Sequence, residues 1–521
     1  MKNNNEFINE ENYKKGFEFI KNKNFHLAEK IFSKILDKFP NHLNSLFLMG
    51  FALYEQKKNI QSLKYLTKAS SFKKNFRDAD YFVGKIYLNT KQYKKAKEQF
   101  NKILNEYPND LETLINLIVS KINLREFSDV EFLLKDKKNL FQNDGVYENL
   151  YGLLHLYSGE NDLSINYYLE SLKQNNNNLN TLINLAYIYL RISDFYNSKK
   201  YFKKALDLNP ENPNTLYAYS YFQLYSGEIK DGLINYEHRK SVYNYNQNLL
   251  NNNNEWNGQN LDGKTILILS EQGLGDIIQF SRYIFQIKKK YNVKVIFQTK
   301  KKLFHLFKYE DFDLQEGKGK FPFFDYFVFL MSLPKIFYLK DKIFLENYNF
   351  IKINNENYKK WKKKFDKFKG KKIGISWQGD KYYIRDSMRS INLQTFEPFF
   401  KNTNLNFINL QSGFGIEQIK EFKFSNKLIN FQDEIDESEN AFEDTISILK
   451  NLDLLITVDT ALSHLAGTME IDTWLLQHYN PEWRWQLQSN KFAWYPKHKF
   501  FRQKIKDNWE NVILEINENL N

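Results

Sequence analysis

A 34-residue period runs through the first half of the chain and restricts its fold more than any other feature. Gly16, Gly50 and Gly84 stand 34 residues apart. Ala28, Ser62 and Ala96 keep the step, as do Phe32, Leu66 and Phe100, and Pro40 and Pro108 lie two steps apart. Small residues where two helices cross, a bulky apolar residue one turn later and a proline after the second helix describe a repeated helical hairpin. Later units keep the frame through Gly152 and Tyr168, then Ala186, Ser198, Phe202, Ala205 and Pro210, then Ser220, Gly232 and Tyr236. The stretch 111–144 is degenerate. The period predicts six to seven hairpins over residues 9–240. One hairpin cannot bury its apolar face alone, so neighbours stack into a superhelix with a long concave surface.

The pattern resembles the tetratricopeptide repeat. That resemblance implies an all-α superhelix whose groove holds a polypeptide, a partner rather than a chemistry. Asn116 and Asn184 share a position on the first helix of their units. In the array of O-GlcNAc transferase, asparagines at this position grip backbone amides. Asn116 and Asn184 are therefore candidate acceptor-groove residues, although only these two units carry the asparagine.

The chain of 521 residues has Lys+Arg 75 against Asp+Glu 62, a net charge of +13. Such a balance suits nucleic acid or an anionic membrane. Here the lysines are scattered as on solvated helix faces, and Lys, Asn, Ile, Phe and Tyr are abundant together, as AT-rich coding favours. No aromatic-basic recognition motif appears, so no nucleic-acid partner is expected. There is no cysteine, which excludes disulfides, thiolate nucleophiles and Cys-ligated zinc and fits a reducing, cytoplasmic setting. Residues 1–12 lack the apolar core of a signal peptide. The apolar stretch 321–339 is interrupted by Pro322, Asp325, Pro334 and Lys335. It reads as a buried strand over 324–330 and a loop over 331–334, not as a bilayer span.

Past residue 240 an Asn-rich polar run begins, and 241–262 reads as a linker. Beyond it strands alternate with helices. Strands are expected at 265–269, 294–298 and 324–330, then at 372–376, 406–410, 454–458 and 473–477. Helix-like segments lie between, including 442–452 and 461–469. Alternation of this kind argues for parallel sheets. Two series joined by the polar stretch 347–369 predict two Rossmann-like lobes, 263–350 and 370–500, with a cleft between them, and a terminal helix over 501–521 crossing back.

Two turns at strand ends stand out. The run from Glu271 to Asp276 has glycines at 273 and 275 and ends in a carboxylate. It is not a dinucleotide loop, because Ile278 replaces the third glycine and Asp276 would repel a pyrophosphate. Asp276 reads either as a general base or as a helix N-cap, which contributes about 1 kcal/mol. The second turn, Asp459 to His464, follows the strand at 454–458 and opens a helix, where N–H groups favour an anion.

These segments resemble one kind of bacterial glycosyltransferase. The likeness is carried by Trp256–Gly258, Glu271–Asp276, Gln279–Tyr283, Met331–Pro334, Ser376–Gly379, Arg389–Ser390, Asn409–Gln411 and Leu452–Asp453. Thr457–Gly467 is the best match, with Trp483–Trp485, Trp494–Pro496 and Phe501–Gln503 near the end. The family couples tetratricopeptide repeats to an α/β GT-B module similar to family 9, the heptosyltransferase-like enzymes, in a plan similar to O-GlcNAc transferase. The resemblance implies an inverting, metal-independent transfer from a nucleotide sugar, with no further cofactor and no metal, to an acceptor held by the repeats.

Such a transfer needs a base for the acceptor hydroxyl, donors for the leaving diphosphate and a sugar placed between them. By resemblance Asp276 is the catalytic base. Gly275, Trp377, Arg389, Ser390, Gln411, Phe442, Asp459, Thr460, Ala461 and His464 are then the donor-side residues. Lys381 and Arg385 compete with Arg389 for the phosphates, and a solvated basic loop, a core phenylalanine and a structural histidine remain open alternatives. The tryptophans at 483, 485 and 494 read as packing rather than a sugar platform. Transfer to a glycan or lipid, and a repeat scaffold with a decayed module, are the competing functions.

Overall fold

The computed structural model describes residues 2–72, 76–142, 144–243, 254–308, 310–317, 321–341, 348–383, 385–402, 404–485 and 494–520. The chain divides into two compact units, Met1–Pro210 and Glu211–Asn521.

Among the described residues the first unit holds six helical hairpins. They are Lys2–Lys21 with Phe25–Lys38, Leu43–Glu55 with Asn59–Phe72, and Arg77–Asn89 with Tyr93–Glu106. Leu111–Asn123 with Phe127–Asp136, Val146–Ser158 with Asn161–Gln174, and Leu179–Arg191 with Phe195–Leu208 complete the set. The 34-residue period has a steric cause. A Cβ on Gly50 would stand 2.6 Å from Leu66 Cγ, one on Gly84 2.5 Å from Phe100 Cε1, and one on Gly152 2.5 Å from Tyr168 Cδ1. In these hairpins the two helices cross too closely there for any side chain, whereas the fourth and sixth carry Ile118 and Ala186 at that position. A polar latch repeats in the same frame. Ser62 Oγ donates to the Gly50 carbonyl and Ser164 Oγ to that of Gly152, both at 2.7 Å, and Ser198 Oγ to that of Ala186 at 2.9 Å. The degenerate stretch still forms its hairpin, because Val130 and Leu134 are fully buried.

A seventh hairpin, Pro213–Ser226 with Ile229–Tyr236, belongs to the second unit. The compact units therefore divide after Pro210, within the run of hairpins, which continues to Tyr236. The reason is packing: Leu224, Leu233 and Tyr236 share one core with Ile277, Phe280, Leu333 and Ile336.

The second unit carries two parallel sheets. The first holds β1 (Thr265–Leu269), β2 (Lys294–Gln298), β3 (Phe312–Gln315) and β4 (Tyr326–Phe329) in the order β3-β2-β1-β4. The second holds β5 (Lys371–Ser376), β6 (Leu405–Asn409), β7 (Leu428–Ile429), β8 (Leu454–Val458), β9 (Thr473–Gln477) and β10 (His498–Arg502) in the order β10-β9-β8-β5-β6-β7. Every strand pair in both is parallel. The expected strands all form, and β3, β7 and β10 are additional. β3 is half-buried along its length, and β7 is only two residues long.

Other expectations are corrected. Residues 244–253 of the expected linker lie outside the described residues, but from Asn254 the chain is docked. Trp256 is buried, and its backbone N–H donates to the Phe327 carbonyl at 2.7 Å beside β4. The expected loop 331–334 is a 3-10 turn, Leu330–Ser332, running directly into a helix, Leu333–Asp341. The polar stretch 347–369 contains a helix, Asn355–Phe365, anchored by the buried Trp361, whose indole donates to Asp444 Oδ1 at 2.6 Å. The last helix, Glu510–Leu520, does not cross back. Its stripe Val512, Ile513, Ile516 and Leu520 packs with Leu393, Phe396 and Phe501 in the second lobe. The segment that reaches the first lobe is instead the one around Trp494, whose carbonyl accepts from Arg282 Nη1 at 2.8 Å.

One buried ion pair ties the short helix Arg239–Val242, just after the seventh hairpin, to the turn after β1. Arg239 is fully buried, and Glu271 nearly so. Arg239 Nη2 lies 2.6 Å from Glu271 Oε1 and its Nε 3.1 Å from Oε2, a bidentate pair. The Met331 N–H also donates to Glu271, and Ser332 Oγ accepts from Arg239. Replacing Glu271 by Gln removes the bidentate partner and leaves the buried guanidinium only Glu237, whose Oε1 lies 2.6 Å from Nη1. Urea unfolding of the full chain is expected to show a loss of about 3–5 kcal/mol, and Arg239→Met with Glu271→Met a smaller one.

Candidate functional site

The strand orders reverse once in each sheet, between β1 and β4 and between β5 and β8. In open parallel sheets, ligands bind outside the carboxyl ends of the strands at such points. Both sequence-singled turns lie there. The run Glu271–Asp276 follows β1, and Asp459–His464 follows β8.

The two turns touch. Gly275 lies in the first turn of the helix Leu274–Phe280. A Cβ on it would stand 2.9 Å from His464 Cδ2 and 3.2 Å from Ala461 Cα. Any side chain at 275 would push the start of the helix Ala461–Thr468 away, so this glycine sets the spacing of the lobes. Thr460 is the N-cap of that second helix, extended at φ −137° and ψ 179°, and its hydroxyl makes no cap bond.

Asp276 has both carboxylate oxygens engaged. Oδ2 accepts from the Gly273 N–H at 2.9 Å and caps its own helix. Oδ1 accepts from Arg484 Nη2 at 2.6 Å. Arg484 comes from the second lobe, and its Nη1 lies 3.7 Å from Glu482 Oε2. The side chains of Asp276, Arg484, Glu482, Asp459 and Arg389 keep between 12% and 22% of their exposure. The cluster is therefore deep but reached by solvent. Burial pushes the carboxyls of Asp459 and Glu482 up, against the pull of nearby arginines. Burial works against the charge of Arg484, but Glu482 and Asp276 outweigh it and hold its pKa high.

Arg389 and Ser390 also reach this place. Arg389 Nη1 donates to the Asp459 carbonyl at 2.7 Å and its Nε to Asp386 Oδ1 at 3.1 Å, while its guanidinium stacks on Tyr383 at 4.7 Å. Ser390 Oγ accepts from the Gly379 N–H. Arg385 is committed to the Tyr225 hydroxyl and the Asn480 carbonyl.

Other expected donor residues are engaged in structure. Gln411 is spent as a clamp. Its Oε1 accepts from Ser376 Oγ and from the N–H groups of Trp377 and Gln378, and its Nε2 donates to the Gln378 and Phe414 carbonyls. Trp377 is fully buried, with its indole donating to the Gly415 carbonyl. His464 stacks on Trp485, with 5.2 Å between ring centroids, and its Nδ1 meets the Tyr495 hydroxyl at 3.2 Å. Burial first, then Arg484, holds its pKa well below the usual histidine value. Phe442 lies in the left-handed region at φ +72°, next to Ala441, whose N–H donates to the Lys302 carbonyl and joins the lobes.

In the first unit, Asn116 is saturated locally. Its amide donates to the Tyr81 hydroxyl and the Glu112 carbonyl and accepts from Lys85. Asn184 lies beside the Tyr168 hydroxyl. The partners of Asn116 are groups of the array itself, so its amide does not stand open in the groove, whereas Asn184 is only half-buried.

Sequence reasoning missed Arg484, Glu482, Tyr236 and Lys300 as site residues. Tyr236 accepts from Gln272 Nε2 at 2.7 Å, and Lys300, at the end of β2, donates to the Gln272 carbonyl at 3.2 Å. Gln272 itself is held at φ +65°. Lys300, Lys301, Lys302, Glu316, Glu439 and Asn440 line an adjoining cavity of about 360 Å³. The one available signal was Arg484 between two tryptophans: an arginine in so apolar a run needs a carboxylate partner.

His498 is buried beside the same helix, with Nε2 against the Ser463 carbonyl at 3.2 Å. Burial pushes its pKa down to about 3. Unfolded, it takes a proton near pH 6.5, whereas the native state refuses one until about pH 3, so the unfolded state binds more protons in that window. Stability is expected to fall as the pH drops through it. His498→Gln should lose less stability between pH 7 and pH 4.5 than the parent, as read by urea midpoints.

Models of the tetratricopeptide repeat match residues 78–110 and 179–212, which coincide with the third and sixth hairpins. Protein FlbA of Caulobacter vibrioides is 22% identical over 281 residues, covering 50% of this chain and 47% of FlbA. Human protein O-mannosyl-transferase TMTC3 is 24% identical over 215 residues, covering 38% of this chain and 23% of TMTC3. The chain thus spans about half of FlbA and a quarter of TMTC3. A solved tetratricopeptide repeat protein from Parabacteroides merdae superposes with a TM-score of 0.41 at 17% identity, covering 47% of this chain and 96% of that one. No helix among the described residues is long and apolar enough to cross a membrane. The chain carries tetratricopeptide repeats, followed by an α/β region with two parallel sheets.

Proposed function

We propose that the chain is a glycosyltransferase whose α/β region is a GT-B module similar to family 9. It moves a sugar from a nucleotide sugar to a polypeptide bound by the repeats. The observation that carries this reading is the meeting of two strand-end turns, Gly273–Asp276 and Asp459–Ala461, at the reversal points of two parallel sheets. TMTC3 is named for O-mannosyl transfer, and its similarity to this chain supports the same class.

In this proposal the diphosphate of the donor lies at the N-terminus of the helix Ala461–Thr468, where free N–H groups and the helix dipole oppose its charge. Arg389 adds a fixed positive charge beside Asp459. The acceptor hydroxyl attacks the anomeric carbon, the bond to the diphosphate oxygen breaks, and the hydroxyl proton passes to Asp276. The configuration inverts. Charge on the leaving group is met by N–H groups and arginines rather than by a metal.

The engagement of both Asp276 oxygens favours a second reading, in which the module is non-catalytic and the Asp276–Arg484 pair only staples the lobes. Thermal-shift measurement of the full chain against a panel of nucleotide sugars separates the two. The enzyme reading expects one donor to raise the midpoint by mass action, and the staple reading expects none to. With that donor, Asp276→Asn should keep donor binding and lower turnover by about 10²–10⁴-fold. Full turnover in the variant would remove Asp276 as base. Excision of residues 1–210 tests the acceptor class. Transfer to protein should be lost while donor hydrolysis survives, whereas undiminished transfer to a glycan or lipid would favour an acceptor of that kind.

A further inference from the structure

Three arginines surround the turn at Asp459, and they are not equally free to bind a ligand. Arg389 is fixed by Asp386, the Asp459 carbonyl and the Tyr383 ring. Arg385 is fixed by Tyr225, Asn480 and Pro481. Among the described residues the Arg484 guanidinium has one close hydrogen bond, to Asp276, and one looser ion pair, to Glu482. Its Nε has no partner among the described residues. Its flat faces rest near Phe280 and Trp483, at 5.4 and 5.7 Å from the ring centroids, so the rings orient it and Asp276 is its one close charged partner among the described residues. Asp276 in turn is adjacent to Gly275, which packs on Ala461 at the start of the anion-favouring helix. This arginine, the carboxylate it neutralises and the start of a helix without a side-chain cap thus meet in one largely enclosed place.

A carboxylate in this state is a poor base. One lone pair is given to the Gly273 N–H, and the other oxygen is neutralised by a guanidinium. An anion arriving at the helix end changes the balance. A diphosphate offers Arg484 more negative charge than one carboxylate does, in a geometry suited to its paired N–H groups.

We propose that Arg484 is a diphosphate ligand held in reserve by Asp276, so that binding of the diphosphate draws the guanidinium away and releases the carboxylate. Resting on the glycosyltransferase reading, the exchange makes the base available only when the donor is in place. No bond is made or broken in the exchange: an ion pair is traded for another, and Asp276 keeps its negative charge until the acceptor proton reaches it. The order of events follows, donor first and acceptor activation second.

The competition has a sign that a staple does not. Inorganic pyrophosphate serves as the probe, titrated by calorimetry into the full chain and into Asp276→Asn, Arg484→Gln and the double variant. Removing the competitor should tighten pyrophosphate, so Asp276→Asn is expected to bind it about tenfold more tightly. Arg484→Gln should bind it about tenfold more weakly. The gain must run through Arg484, so adding Asp276→Asn to Arg484→Gln should change affinity less than about twofold, as a double-mutant cycle reads it. If Arg484→Gln does not fold, Arg484→Lys replaces it, with the gain expected to shrink below about threefold because a point charge lacks the paired N–H fork. The proposal is overturned if Asp276→Asn binds no more tightly. It is also overturned if the gain persists in the Arg484 variant, or if neither the parent chain nor Asp276→Asn binds pyrophosphate. These readings need no turnover. A chain that transfers no sugar can still show the exchange, and one that transfers sugar but shows no gain in Asp276→Asn loses the exchange alone.

Discussion

A guanidinium placed in a core costs several kcal/mol unless a carboxylate meets it with good geometry, and Arg239 is fully buried. Its bidentate pair with Glu271 satisfies that demand and fixes the residue at which the turn after β1 begins. The same carboxylate takes the Met331 N–H, and the same guanidinium reaches Ser332. The loops after β1 and β4, the two strands that flank the reversal point of the first sheet, are thereby held to one centre. Everything downstream in the turn inherits that placement: the strained Gln272, the cap on Gly273, the close approach at Gly275 and the direction of Asp276.

The second lobe answers with small residues and aromatic packing. Ala461 admits Gly275, and His464 is wedged between Gly275, Trp485 and Tyr495. Burial keeps that histidine neutral, so no extra positive charge competes with the arginines nearby. The charged groups that remain, three arginines with the carboxylates of Asp276, Glu482, Asp459 and Asp386, are each largely enclosed. Their mutual pairing is what makes an incoming anion act on more than one of them at once.

Much of the fold was legible because its causes are local or periodic. The repeat positions follow from helix crossings that admit no side chain at Gly50, Gly84 or Gly152. The central strands are apolar on both faces, as parallel strands covered on both sides must be. The short or edge strands β3, β7 and β10 were not legible, because two to five residues at a sheet edge carry no period. The terminal helix has a clear apolar stripe, but a stripe does not say which surface it will cover.

The candidate site divides in the same way. By itself the sequence determined that a glycine turn ending in Asp276 and a helix-opening turn at Asp459 lie at the ends of strands, since strand, turn and helix are settled within a few residues. Only the tertiary structure decided what each side chain meets there. Asp276 proved to be capped by Gly273 and paired with Arg484, 208 positions away in the chain. Gln411 and Asn116 proved to be consumed by their neighbours. The physical reason is that a polar group is used by whatever donor or acceptor burial brings within about 3 Å of it, and no local pattern of residues encodes that proximity.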